Sequence, residues 1–273
     1  MKLKTYGGNG VSKHLKGMKQ MNKIYKEYKK WVEEKMNENL ISKDEKITAR
    51  PLFPGEAIGE GEAARRHDYP LRKGKEYLLE ARFRNSRGQA FTDEPKSWQG
   101  TVESFLNLDT GKNEERAIFV AAFNAITGDL GVVTNTVHCR NESMEKCARK
   151  MARHLSERLE KGAKILIVGY QPAFIEAASE MFGPERVRVV DLDTENIGRT
   201  VYGITIADGE TDLETMVKDV SFGVVTGSSF VNATYSQIER NFQKFNVPFF
   251  VFGTSGAAPA VFRGVERWCP ESK

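Results

Sequence analysis

The hydrophobic pattern divides the chain into a helical start, an irregular stretch, a β-rich middle and a second half of repeated strand–turn–helix units. From Ser12 to Leu40, apolar residues recur every three or four positions (Leu15, Met18, Met21, Ile24, Tyr25, Tyr28, Trp31, Val32, Met36), with Lys13, Lys16, Lys19, Lys23, Lys26 and Lys30 mostly outside the stripe. This predicts a long amphipathic helix packed on the body of the protein, its lysines in water. A basic helix also suits an acidic membrane surface or nucleic acid, although packing is the stronger expectation. Ile41 to Arg72 lacks a steady period and is rich in Gly, Pro and charge, which reads as a loop region or linker.

Tyr77 to Phe83 and Gln89 to Thr92 read as a hairpin turning through Asn85-Ser86-Arg87-Gly88. Gly100 to Leu108 then starts a short helix, and Arg116 to Ile126 is an apolar helix ended by Gly128. Asn124 lies inside it, and a buried amide needs hydrogen-bond partners, as a structural tie or as a ligand contact. Val132 to Val137 reads as a strand, followed by a helix from Asn141 or Ser143 to about Leu159.

The second half has the grammar of an α/β protein with a parallel sheet. Ile165 to Val168, the turn Gly169-Tyr170-Gln171-Pro172, an amphipathic segment and Val187 to Val190 closing on Asp191-Leu192-Asp193 form a βαβ unit. Phe222 to Thr226 leads into Gly227-Ser228-Ser229 and a helix from about Asn232 to Phe245, and Pro248 to Phe252 leads into Gly253-Thr254-Ser255-Gly256. Ligands of such sheets sit beyond the carboxyl ends of the strands. Gly169, Tyr170, Asp191, Asp193, Thr226, Gly227, Ser228, Ser229, Asn232, Gly253, Thr254 and Ser255 are therefore candidate ligand contacts. The three-glycine dinucleotide fingerprint and the Walker loop are both missing, but Asp191 or Asp193 stands about twenty residues past the first turn, where dinucleotide folds place a ribose-binding acid.

Charge changes the picture little: 41 Lys and Arg against 37 Asp and Glu give no case for a nucleic-acid partner. Met1 to Gly10 has no secretory signal, and the apolar runs are too short to span a bilayer. With Cys139, Cys147 and Cys269 as its cysteines, the chain reads as a reduced, cytoplasmic protein. His138, Cys139 and Cys147 are candidate ligands for a transition-metal ion, with a Cys147 thiol near a helix N-terminus expected to be acidified. Cys269 joins them only if the C-terminus folds back.

Several motifs together resemble the heavy-metal chelation domain family, formerly a domain of unknown function. They are Gly88-Gln89-Ala90-Phe91-Thr92-Asp93-Glu94-Pro95, Arg116-Ala117-Ile118-Phe119 with Asn124-Ala125, Thr136-Val137-His138-Cys139, Val168-Gly169-Tyr170, Asp191-Leu192-Asp193 with Ile197-Gly198, Thr226 to Thr234, and Gly253-Thr254-Ser255 through Pro259. The resemblance runs from about Tyr77 to the C-terminus and leaves the lysine-rich start unmatched. It implies a Rossmann-like parallel-sheet domain (161–273) preceded by a smaller α+β enolase-N-terminal-like domain that, with the long helix, fills 1–160. It also implies a site in the cleft between them; Asp193 or Asp93 is a candidate further oxygen donor for a metal there, and Asn124 a candidate ligand contact. The leading expectation is a protein that binds, with or without processing, a metal ion or small anionic metal complex in that cleft. An enzyme using a nucleotide or S-adenosylmethionine-like cofactor is the alternative, and a scaffold docking through its basic helix is a third. A homo-oligomer is compatible with all three.

Overall fold

The computed structural model describes residues 8–59 and 66–273, with side chains from residue 20 onward. The predicted loop residues 60–65 and the positions of Leu15 and Met18 on the helical stripe therefore lie outside the described side chains.

Helix α1 (Gly8–Asn37) carries the predicted stripe. Met21, Ile24, Tyr25, Tyr28 and Val32 are buried. The body of the protein thus occupies the apolar face, which removes it as a free docking surface. The Tyr25 hydroxyl donates to the Phe230 carbonyl and Tyr28 to that of Pro259 at 3.2 Å, so the helix is fixed by hydrogen bonds as well as by area. Tyr28 also stacks on Phe123, ring centroids 4.9 Å apart.

An antiparallel sheet has the order β3-β2-β1-β4, built from β1 (Lys46–Pro51), β2 (Tyr77–Phe83), β3 (Ser86–Thr92) and β4 (Trp98–Thr101). Strand β1 corrects the expectation of a loop or linker over Ile41 to Arg72. It pairs with both β2 and β4, burying Ile47 and Ala49 while Lys46, Thr48 and Arg50 face outward. Only two apolar residues mark that alternation. The hairpin is tighter than predicted, since Phe83 pairs with Ser86. Short helices α2 (Pro54–Ile58) and α3 (Val102–Leu106) flank this sheet.

Helix α4 (Asn113–Asp129) crosses the sheet and is buried on every side from Arg116 to Thr127. Gly88 permits the contact: a Cβ there would lie 2.2 Å from the Ala125 nitrogen and 2.3 Å from the Ala121 oxygen. The strand predicted over Val132 to Val137 is absent. That segment runs beside β3, where Thr136 accepts from Gln89 N–H at 3.1 Å and its hydroxyl donates to the Arg87 carbonyl at 2.6 Å. Asn135, at φ 60°, interrupts any continuous ladder.

Helix α5 (Ser143–Arg158) leads to the second sheet, of order β10-β9-β5-β6-β8-β7. Its strands are β5 (Ile165–Val168), β6 (Val187–Asp191), β7 (Thr200–Val201), β8 (Ile204–Asp208), β9 (Phe222–Thr226) and β10 (Phe249–Phe252). All but β7 are parallel. Numbered along the chain, the parallel strands lie 3-2-1-4-5, the Rossmann arrangement of βαβ units. Its fully buried β5 reads as a continuous apolar run, as central parallel strands do. Helices α6 (Pro172–Phe182), α7 (Leu213–Lys218), α8 (Ser228–Val231), α9 (Tyr235–Lys244) and α10 (Ala257–Phe262) connect or cover the strands. The predicted helix from Asn232 to Phe245 is broken: α8 stops before it and Ala233, at φ 63°, separates it from α9. Helix α5 buries Met144, Ala148, Met151, Ala152 and Leu155 in the core under the parallel sheet, although it precedes the 160/161 divide in sequence. The fold is therefore α/β, with an antiparallel α+β layer joined to a Rossmann-like sheet.

The joint centres on Asn124. Its amide donates to the carbonyls of Gln89 (3.0 Å) and Thr254 (2.9 Å), and its oxygen accepts from Ala258 N–H (2.8 Å). Replacing Asn124 by Leu strands three buried backbone groups and is expected to cost roughly 3 kcal/mol or more. Asn124→Asp turns a carboxylate oxygen toward two carbonyls and should destabilise at least as much. Urea unfolding checks both, and a loss under about 1 kcal/mol in the two variants would refute this role.

Candidate functional site

The carboxyl ends of the parallel strands face β3 and the segment before α5 across a cleft of about 1560 Å³. In a 3-2-1-4-5 sheet the connections leave β5 and β9 toward opposite faces, so the crevice opens between those two strand ends. Gly169 and Thr226 meet there. Gly169 has φ 102°, and a Cβ on it would lie 2.7 Å from Thr226 Cγ2. Gly227 is held as closely, since its Cβ would lie 2.3 Å from the Gly256 nitrogen. Glycine at these turns lets backbone approach backbone, whatever the cleft holds.

Asp191 organises the neighbouring loops. Its carboxylate accepts from the N–H groups of Tyr170 (2.7 Å) and Asp193 (2.8 Å) and from the Asn196 amide (3.2 Å). Burial raises its pKa despite these donors. Asp193 accepts from Glu195 N–H at 2.9 Å and from Lys75 at 3.0 Å. Burial opposes its ionisation, but those two donors outweigh it and hold the carboxyl below its usual range.

Glu76 is the residue that sequence reasoning passed over. It lines the cleft at the start of β2, faced by Asp191, Asp93 and Asp193. Burial, and then those three charges, push its carboxyl up to about 7. Lys75, its neighbour in sequence, pairs with Asp193 and Glu195. A lone Glu between Lys75 and Tyr77 carries no motif; only the folded chain brings three aspartates around it. Among the described residues the wall is acidic, with Asp68, Glu76, Asp93, Asp191, Asp193 and Glu195 facing Lys73 and Lys75.

The other predicted residues divide. Ser228 and Asn232 line the cleft, Asn232 also accepting from the Thr234 hydroxyl at 2.7 Å. Ser229 is buried and donates to the Thr226 carbonyl at 2.7 Å, while the Ser255 hydroxyl accepts from Phe91 N–H at 2.8 Å. Both hydroxyls brace the wall. Gly253 lines the cleft at φ 87°. Asn124 and Thr254 do not line it: Asn124 is the tie described above, and the Thr254 hydroxyl is buried without a partner.

His138, Cys139, Cys147 and Cys269 also line the cleft. The His138 N–H donates to Gln89 Oε1 at 2.7 Å, and Gln89 donates to buried Glu80 at 2.9 Å, which fixes the loop backbone. The ring packs edge-on to Phe91, 5.1 Å between centroids. It is half-buried by exposed area, yet surrounded densely enough that burial pushes its pKa down to about 4, against the Ala57 and Cys139 backbone. Its Nδ1 is buried without a partner. The imidazole is therefore neutral at physiological pH, the form that binds metals. Cys147 was expected to be acidified by its helix; instead the Cys139 thiol beside it and burial push it up to about 12, against the effect of Cys269. Among the described residues, no three His, Cys, Asp or Glu side chains converge so as to hold a metal ion by themselves.

Two sheets, one of them parallel with the strand order 3-2-1-4-5, define an α/β protein with Rossmann-like topology. No family model matches the chain, and no curated protein does. Among solved structures it is similar to a DUF364 protein of unknown function from Pyrococcus horikoshii, at 15% identity over 86% of this chain and 79% of that one, with a TM-score of 0.48. A DUF364 protein of unknown function from Desulfitobacterium hafniense is similar at 13% identity over 68% and 72% of the two chains, TM-score 0.44. A translation initiation factor eIF-2B from Pyrococcus horikoshii is similar at 11% identity over 55% and 56%, TM-score 0.29. Both DUF364 proteins being of unknown function, neither supplies a chelation activity. Among the described residues, no helix is long and apolar enough to cross a membrane.

Glu76 gives the site a pH signature. The folded state holds its proton more tightly than the unfolded chain, so this contribution to stability is complete below about pH 4.5 and is lost as pH rises toward about 7. Glu76→Gln, which has no charge to bury, should melt above the native protein at pH 8 and with it near pH 4.5. Equal melting temperatures at pH 8 would remove the argument.

Proposed function

We propose that the protein binds a metal ion carried by a small chelating molecule in the cleft between its two sheets. The observation that carries this reading is the acid wall beyond the carboxyl end of β6, where Glu76 is crowded by Asp191, Asp93 and Asp193. A cation relieves that repulsion, and binding it releases the Glu76 proton. The cleft has no ready cage of three protein donors among the described residues, so a metal arriving with ligands of its own fits better than a bare ion. Carboxylate oxygens suit hard and borderline cations, while the neutral imidazole of His138 and the thiols of Cys139 and Cys147 offer softer donors in the same lining. The acid wall narrows the sequence expectation of an anionic complex. The anionic part of the ligand belongs on the Gly227–Ser228 side, away from the carboxylates.

One observation favours a second reading, a nucleotide or S-adenosylmethionine-like cofactor: the Rossmann strand order, with Gly169 at the first turn and Asp191 at the end of the second strand. Against it, Asp191 already accepts three hydrogen bonds from the protein.

The test is titration calorimetry of untagged, chelator-free protein with manganese, zinc and nickel, each as free ion and as citrate complex. Binding should tighten as pH rises from about 6 to 8, and Glu76→Gln with Asp93→Asn should weaken it by about tenfold or more. A Cys139→Ala/Cys147→Ala variant distinguishes the two donor sets, since loss of binding there moves the metal to the thiols. No heat with any metal, alongside a thermal shift with nucleotides, would replace this reading by the second.

A further inference from the structure

The C-terminal segment does fold back, and it brings a third thiol to the two that the sequence placed near each other. Residues 266–273 lie as a strap over α5 and the loop before it. Lys273 exchanges backbone hydrogen bonds with Val137 at 2.7 and 2.9 Å, and Trp268 N–H donates to the Val251 carbonyl at 2.9 Å. Side chains on one face of α5 hold it: Arg158 pairs with Glu266 at 2.6 Å, Lys150 pairs with Glu271, and His154 stacks on Trp268 at 4.7 Å between centroids. The strap places Cys269 against Cys147, whose other side meets Cys139. Cys147 is thus the central member of three thiols carried by three separate segments.

We propose that these thiols form a redox modification site in which Cys147 is the pivot, able to form a disulfide with either Cys139 or Cys269. All three are free and line the cleft, Cys139 buried and Cys147 and Cys269 partly exposed, so a small oxidant meets Cys147 or Cys269 first. Pairwise bonding is the chemistry that suits them, because no three metal-binding side chains converge there among the described residues. Arg267 supports the chemistry. Its guanidinium is bonded to the carbonyls of Gly253 (3.0 Å) and Asn135 (2.7 Å), and it lies beside Cys269, where its charge favours a thiolate. The neighbouring thiols and burial nevertheless push Cys147 and Cys269 above the usual thiol range. The oxidant class is a small-molecule disulfide such as oxidised glutathione. One cysteine, as thiolate, attacks it to form a mixed disulfide and releases one thiol. A second cysteine then displaces the other thiol, leaving one protein disulfide and two reduced thiols, a transfer of two electrons and two protons. With Cys269 as partner the bond staples the strap to α5; with Cys139 it staples the loop carrying His138.

The experiment is incubation of the folded full-length protein with oxidised glutathione at pH 8.5, followed by free-thiol counting and mass spectrometry of tryptic peptides after alkylation. The native protein should fall from three free thiols to one, with Cys147 in every intramolecular disulfide. Cys139→Ser and Cys269→Ser should each lose both remaining thiols to one disulfide, whereas Cys147→Ser should form none. Oxidation in guanidinium, where chain geometry is erased, serves as the positive control. A Cys139–Cys269 disulfide in folded Cys147→Ser as abundant as those of the native protein would overturn the pivot. Three free thiols in the folded native protein, under conditions that oxidise the unfolded one, would overturn the site.

Discussion

A single amide holds the two layers in register. Asn124 lies in a helix whose other buried residues from Ala117 to Ile126 are apolar, and it bonds the antiparallel sheet through Gln89 and the parallel layer through Thr254 and Ala258. A carboxamide is the side chain that suits this place, because it offers donors and an acceptor without charge, and each unpaired group would be stranded away from water. The position of the cleft depends on it. Thr254 is followed by Ser255, which takes the Phe91 N–H of β3, so the amide fixes the distance between the wall carrying Asp93 and the wall carrying Gly253.

The electrostatics of that cleft follow from where the backbone sends its donors. Asp191 is met by N–H groups of its own loop and of the first turn, though burial still raises its pKa, whereas a lysine and an N–H hold Asp193 below its usual range. Glu76 has no such support and lies in the field of the others. Environments that push like groups apart in pKa are a recurring feature of functional sites, where they poise one group for proton exchange. Burial keeps the ring of His138 neutral, so the cleft lining combines carboxylates with uncharged soft donors.

Much of this arrangement is legible in the residues. The parallel strands β5, β6, β9 and β10 announce themselves as short apolar runs closing on glycine or acid, whereas β8, with only Ile204 and Ile206 buried, does not; the stripe from Met21 to Val32 is buried as its period implies. The wall residues at strand ends follow from topology. Strand β1 is not legible because Lys46 to Pro51 contributes only Ile47 and Ala49 to the core, and pairing on both edges, rather than side-chain pattern, makes it central. Val132 to Val137 misleads in the opposite sense: its residues suit a strand, but Asn135 adopts a left-handed backbone and the segment bonds β3 only intermittently. Glu76 and Cys269 owe their settings to contacts far along the chain, which no local period encodes. The reversal at Cys147 has the same origin, since the neighbouring Cys139 and burial outweigh the helix terminus.

The seating of α1 has a consequence for how the chain matures. Its tyrosines are satisfied by carbonyls 205 and 231 residues downstream, and its rings pack on Phe119, Phe123 and Phe262. During synthesis this helix emerges before the segments that cover it, and its apolar stripe is not fully covered until Phe262 has emerged. The contacts that complete it are among the most non-local in the molecule and form late for that reason. The lysines flanking the stripe then serve the nascent chain as much as the native one, keeping an uncovered helix in solution while it waits for its partners.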